Sequence, residues 1–235
     1  MLVLTGDTHS MFERIYEFCE EYETTTEDII VILGDAGINY YLDSSDEQLK
    51  EELSGLNATL LLIHGNHEER PCNIKNYEGM RWHGGIVYYE EEYPNLLFAT
   101  DGEIYDFSGK KAIVIGGAYS VDKNYRLSGG MPWFDSEQPD DYIKSFVESQ
   151  LENVDWKVDY VFSHTVPLSY MQREAFLPNI NSDLVDNSTE EWLETIEKKL
   201  NYESWFAGHF HVNLNMDRVH ILFDDYLELN TVWRI

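Results

Sequence analysis

Seven side chains able to bind a metal are spread along the chain, each at the mouth of a short apolar run: Asp7, His9, Asp35, Asn66, His164, His209 and His211. They sit in the strings Gly6-Asp7-Thr8-His9, Gly34-Asp35, Gly65-Asn66-His67-Glu68, Ser163-His164 and Gly208-His209-Phe210-His211. Four imidazoles, two carboxylates and one amide oxygen suit a divalent cation of borderline hardness, such as Mn, Fe, Zn or Ni. The set has no thiolate for Cu(I) or an iron-sulfur cluster and too much nitrogen for a dedicated calcium site.

The apolar runs before these strings read as buried strands whose carboxyl ends feed loops: Leu2 to Thr5, Ile29 to Leu33, Ala58 to Ile63, Tyr160 to Phe162 and Trp205 to Ala207. In open α/β sheets the ligand crevice lies along that edge, so residues far apart in sequence can converge there. Helical patterns over Ser10 to Glu23 and Ser45 to Leu53 separate the first three strands, which predicts a parallel sheet with right-handed crossovers. Short strands at Ile86 to Tyr89, Leu96 to Ala99, Glu103 to Phe107 and Lys111 to Ile115 have hairpin spacing and predict a meander extending a second sheet. Helical period returns at Asp140 to Leu151 and Thr189 to Leu200. In the tail, Val219 to Phe223 and Tyr226 to Leu229 read as a hairpin turning at Asp224-Asp225. The stretches 116–139 and 165–188 lack periodicity, and long irregular segments in compact domains are more often functional than incidental.

At 235 residues the chain fits one full-sized core, and residues 1–235 read as a single domain. Hydrophobic content of 43% and aromatic content of 14% are those of a globular protein rather than a disordered one. No apolar run approaches the roughly 20 residues that span a bilayer, and the amino terminus has no basic region before its first motif. A cytoplasmic location with no membrane partner is the expectation. Formal net charge is -28, from 44 acidic and 16 basic residues. That field repels polyanions and argues against extended nucleic acid, while bound divalent cations would still admit a small phosphate ester. The two cysteines, Cys19 and Cys72, have no metal-type spacing, and Cys19 falls on the apolar stripe of the first helix.

Taken in order, Asp7-x-His9, Gly34-Asp35, Gly65-Asn66-His67-Glu68, His164 and Gly208-His209-x-His211 resemble the five short blocks of the calcineurin-like metallophosphoesterases. GD and GH dipeptides are common singly; the complete ordered set across residues 6–211 is specific. The resemblance implies an α/β fold, a four-layered α-β-β-α sandwich of two mixed sheets, and two divalent metal ions, with Mn foremost and Fe, Zn or Ni as the other options. Carried over by position, it implies a first metal on Asp7, His9, Asp35 and His211 and a second on Asp35, Asn66, His164 and His209. Asp35 would bridge them, a metal-bridging hydroxide would attack phosphorus, and His67 would protonate the leaving oxygen or stabilise transition-state charge. Ser10 stands where many members have glycine. Gly34-Asp35-Ala36-Gly37 lacks the arginine-containing block of protein Ser/Thr phosphatases, which argues against phosphoprotein substrates. The expected substrate is a small phosphomonoester or phosphodiester such as a nucleotide. The alternatives are a cyclic nucleotide, a dinucleoside polyphosphate, or a non-catalytic scaffold of the same fold.

His64, His83 and His220 lie outside these blocks and read as structural or surface groups, His64 with an option of bonding a metal ligand. Lys123, Tyr125 and Arg126 follow a predicted strand in a chain poor in basic residues. They are the candidate substrate contacts, Arg126 or Lys123 on phosphate and the tyrosine beside a planar group. Trp133-Phe134 and Tyr170, Arg173 and Phe176 are candidates for further walls, against the plainer reading of loop packing.

Overall fold

The computed structural model describes residues 1–172 and 185–229, so Arg173 and Phe176 lie outside the described residues. The first third is built as β1 (Leu2–Thr5), α1 (Glu13–Glu21), β2 (Ile29–Ile32), α2 (Ser44–Ser54) and β3 (Thr59–Leu62). The three strands pair in parallel with register Leu4 to Val31 and Val31 to Leu61, the geometry that requires the crossover helices between them. α1 starts three residues later than its apolar period suggested, because His9 and Ser10 take φ of 46° and 66°, outside the helical region.

After β3 come β4 (Glu78–Trp82), β5 (Gly85–Tyr89), β6 (Leu96–Ala99), β7 (Ile104–Phe107) and β8 (Lys110–Ile115). α3 (Lys123–Gly129), α4 (Asp141–Asn153), β9 (Tyr160–Ser163), α5 (Ser188–Glu197) and β10 (Ser204–Ala207) follow, and β11 (Leu214–Met216), β12 (Val219–Ile221) and β13 (Leu227–Leu229) close the described chain. They form two mixed sheets, β13-β1-β2-β3-β6-β5-β4 and β11-β12-β10-β9-β8-β7.

Two expectations are corrected by this topology. The middle strands are not one meander: β6 pairs in parallel with β3 in the first sheet, while β7 and β8 belong to the second. Nor is the tail a hairpin, since β12 pairs with β10 and β11, whereas β13 crosses to the other sheet and pairs antiparallel with β1. Short apolar strands carry no mark of which sheet takes them; the choice depends on which edge is free and which face is covered. The stretch 116–139 also holds a two-turn helix, α3, and a 3-10 turn at Asp135–Glu137.

Alternation along the strands decides the layers. Leu2, Leu4, Val31 and Leu33 face inward and meet Val114, Phe162 and Phe206 of the second sheet. Val3, Ile30, Ile32 and Leu60 face outward beneath Ile15, Phe18 and Leu53 of the first two helices. On the opposite side Ile113, Val161 and Trp205 pack with Val147, Leu151, Leu193 and Ile196 of α4 and α5. The result is the α-β-β-α sandwich that the motif order implied. Both cysteines are free. Among the described residues no helix is long and apolar enough to cross a membrane.

Candidate metal centre

All five motif strings emerge at the carboxyl ends of parallel strands, three from β1, β2 and β3 and two from β9 and β10, so both sheets contribute to one cluster. Asp7, His9 and His211 offer ligand atoms within 4.8 Å of one another, as do His9, Asp35 and His67, and Asp7, Asp35 and His164. Asp35 Oδ2 stands at the middle, 3.7 Å from His164 Nε2, 3.9 Å from His67 Nε2 and 4.0 Å from His9 Nε2. The sequence-predicted ligands are thus brought together. His209 joins them by its backbone N–H, which donates to Asp7 Oδ1 at 2.8 Å, and by its ring, 4.9 Å from that of His164.

The backbone at these positions is unusual. His9, Asp35, His209 and His211 have φ of 46°, 48°, 69° and 51°, a region non-glycine residues visit rarely and functional sites retain. Two motif glycines are explained by close approach: a Cβ on Gly65 would fall on the Asp35 carboxylate, and one on Gly208 on the Asp7 carboxylate.

Hydrogen bonding fixes the ligand orientation. His164 Nδ1 donates to the Leu33 carbonyl at 2.8 Å, and its Nε2 lies 2.8 Å from Asn66 Oδ1. The Asn66 amide nitrogen is committed to Ser120 Oγ at 3.0 Å, which turns its Oδ1 toward His164. On the other side His9 Nε2 and His211 Nε2 approach to 2.9 Å, and His211 Nε2 stands 3.2 Å from Asp7 Oδ2. Converging nitrogen and oxygen atoms of this kind are a donor set that fits divalent cations.

Electrostatics agrees with that fit. Burial alone would raise the Asp35 carboxyl, but His164, His67 and His9 outweigh it and hold the group below its ordinary range. Asp7 is likewise lowered, its burial overcome by the His211 hydrogen bond. His209 is pushed down to about 3 by burial and then by His164, so it is neutral and free to ligate. Burial also lowers His67, against the pull of Asp35 and with help from Arg126.

Several contributors carried no signal in the sequence. Ser120, 1% exposed, links Asn66 to Arg126, whose Nη1 donates to Ser120 Oγ at 3.2 Å. Arg14 on α1 donates to the carbonyls of Gly6 and Asp7 at 2.8 and 2.9 Å. Glu68, present in its motif string but given no role there, accepts from the Gly65 N–H at 2.9 Å and is driven well above the carboxylate range by burial and then Asp35. Serine, arginine and glutamate are common enough that only their placement marks them.

The three candidate substrate contacts lie on α3. Arg126 is 1% exposed, with Nε donating to the Pro132 carbonyl, Nη2 unpartnered and the guanidinium 5.6 Å from the Tyr40 ring. Lys123 Nζ lies 3.8 Å over the Trp133 ring, and Tyr125 is largely exposed. Tyr170 packs against the outer core of the second sheet. His220 stacks on Phe206 and bonds Asn215, and His83 bonds the Asp106 carbonyl, both structural as the sequence suggested. His64 bonds the Ser136 carbonyl and not a metal ligand, which corrects the option of ligand support.

The family model for calcineurin-like phosphoesterases matches residues 1–213. No curated protein matches the chain. One solved crystal structure superimposes with a TM-score of 0.54 at 14% identity, covering 94% of this chain and 88% of its own, a likeness of fold. A structure described as a novel archaeal phosphodiesterase aligns at 11% identity over 94% of this chain and 81% of that one, with a TM-score of 0.32. At that score the likeness carries nothing further. Membership and the ligand cluster together support phosphoester hydrolysis as the general chemistry. With 213 of its 235 residues inside the family model, the chain belongs to the calcineurin-like phosphoesterases.

Proposed function

We propose that the chain hydrolyses a small phosphate ester, a phosphomonoester or phosphodiester such as a nucleotide, at a binuclear divalent metal centre, with manganese the foremost candidate. The observation that carries this reading is the convergence of nitrogen and oxygen atoms about Asp35, with His164 Nε2 2.8 Å from Asn66 Oδ1 and His9 Nε2 2.9 Å from His211 Nε2. Asp7, His9, Asp35 and His211 would hold one cation, and Asp35, Asn66, His164 and His209 the other. When bound, such ions supply positive charge against the ester oxygens and lower the pKa of a water.

The chain's own groups do the rest. His67 is partly open to solvent beside Asp35, with its ring edge-on to His9 at 5.3 Å, and its N–H is the available donor for a departing oxygen. Burial and Arg126 both work against its protonation, which favours a neutral donor that stabilises developing charge. α3 supplies the candidate specificity wall. The positive charge of buried Arg126, felt at His67, supports attraction of phosphate, and exposed Tyr125 with the neighbouring Lys123 supports contact with the planar or polar remainder of the ester.

Metal analysis coupled to a substrate panel tests the reading. Manganese-dependent turnover of an aryl phosphate, a bis-aryl phosphate, mononucleotides, cyclic nucleotides and dinucleoside polyphosphates would separate the substrate classes. Protein that neither retains metal nor turns over any of them would leave the scaffold alternative.

A further inference from the structure

Among the imidazoles that reach the two candidate aspartate ligands, His211 is the most open: its side chain is 49% exposed, against 27% for His9 and 25% for His67, while His164 is fully buried. Its hydrogen bonds among the described residues run through Nε2 alone, to His9 and Asp7, which are themselves candidate ligands. His164, by contrast, is oriented by the bond from its Nδ1 to the Leu33 carbonyl. A ligand ring without such a bond needs another neighbour to set its plane. Phe223 is that neighbour, its ring stacked on His211 with centroids 4.8 Å apart and planes 23° from parallel.

The backbone at Phe223 is tightly seated. It lies in the connection 222–226, where the chain leaves β12 and crosses to β13 in the other sheet. Its carbonyl accepts from the Gly6 N–H at 3.1 Å, and its own N–H donates to Asn213 Oδ1 at 2.7 Å. Asn213 Nδ2 in turn donates to Asp224 Oδ1 at 2.6 Å, and Thr5 Oγ1 donates to the Asp225 carbonyl at 3.0 Å. A Cβ on Gly6 would collide with the Leu222 carbonyl and the Phe223 Cα, so the glycine of the first motif string is what admits this segment. Arg14, which bonds the carbonyls of Gly6 and Asp7, has its guanidinium carbon 5.8 Å from the Phe223 ring centroid. Yet Phe223 enters none of the three apolar clusters that hold the layers together. Its ring serves the site edge rather than the core.

We propose that Phe223 is a positioning residue for His211, and through it for the cation that Asp7, His9, Asp35 and His211 would hold, with no direct part in the other. The proposal rests on the binuclear reading above. It goes beyond the family resemblance, because the family model ends at residue 213 and the ring arrives from the connection that crosses between the sheets. A ligand ring ordered in advance loses less freedom when it binds, so the stack raises affinity without touching the metal.

The test is manganese titration of the full chain stripped of metal, followed by electron paramagnetic resonance and by competition with a chelator that resolves the two affinities. Wild type should take up two ions and develop the signal of a spin-coupled pair. Phe223→Leu keeps apolar bulk without a ring face and should weaken one affinity by about tenfold while leaving the other within about twofold, so that an isolated-ion signal persists where wild type shows the pair. Phe223→Tyr restores the ring and should restore the pair. General loss of stability would weaken both ions together and gives no such split. Wild-type affinity for both ions in Phe223→Leu overturns the proposal, as does equal loss of both, or a Phe223→Tyr variant that behaves like Phe223→Leu. Should Phe223→Leu fail to fold, Phe223→Met is held to the same criteria. A wild type that takes up fewer than two ions refutes the binuclear reading and this proposal with it, whereas two ions without a selective loss refute this proposal alone.

Discussion

Glu190 sits in the first turn of α5, 2% exposed, with Oε1 accepting from Thr165 Oγ1 at 2.8 Å and Oε2 unpartnered. Thr165 follows His164, so this contact ties the helix to the strand end that presents a candidate metal ligand. Burial, only partly offset by Thr165, raises the carboxyl from an ordinary 4.5 to about 7. Because the folded state holds the proton more tightly than the unfolded one, the stabilisation is fully present below pH 4.5 and is lost as pH rises through about 7. At about 1.36 kcal/mol for each pH unit, that span comes to on the order of 3 kcal/mol. Glu190→Gln keeps an acceptor for Thr165 and removes the titration. Urea unfolding of both proteins at half-unit steps from pH 4.5 to 8 should show the variant gaining on the wild type by about that amount, then running parallel. Buried His209, pushed down to about 3, gives the opposite slope in both proteins and cancels in the difference. A difference that stays constant across the range would refute the reasoning.

The remaining expectations concern the centre itself. Asp35→Asn removes the charge shared by both ligand sets and should deplete both cations together in metal analysis; a fully loaded, active variant would contradict the assignment. His67→Ala should retain metal and slow esters with poor leaving groups by about 100-fold or more, good leaving groups far less, as read from kcat across a series of aryl phosphates; equal slowing would count against a role at the leaving oxygen. Ser120→Ala frees the Asn66 amide and leaves Arg126 Nη1 without its acceptor, so it should weaken metal binding by about 10-fold in a competition titration and cost about 1–3 kcal/mol of stability in urea unfolding. Unchanged metal affinity there would show that Asn66 is held without it.

The sequence by itself marked which residues could do chemistry and which faces are buried. Strand ends bearing Asp7, Asp35, Asn66, His164 and His209 were legible because apolar runs broken by glycine or serine have few other readings. The inward and outward faces of β1 and β2 follow from an alternation that a backbone of period two enforces. Tertiary structure alone decided what distant pairing decides: that β6 and β13 complete the first sheet, that β7 joins the second, and that Val219 and Leu227 part company across the sandwich. It also decided the positive φ of His9, Asp35, His209 and His211, since histidine and aspartate tolerate a left-handed turn without requiring one and the tertiary setting selects it. Ser120 and Arg14 belong to the same category. Their importance is the atom each reaches, the Asn66 amide and the Asp7 carbonyl, and a side chain's partner across the fold is written in coordinates rather than in residue type.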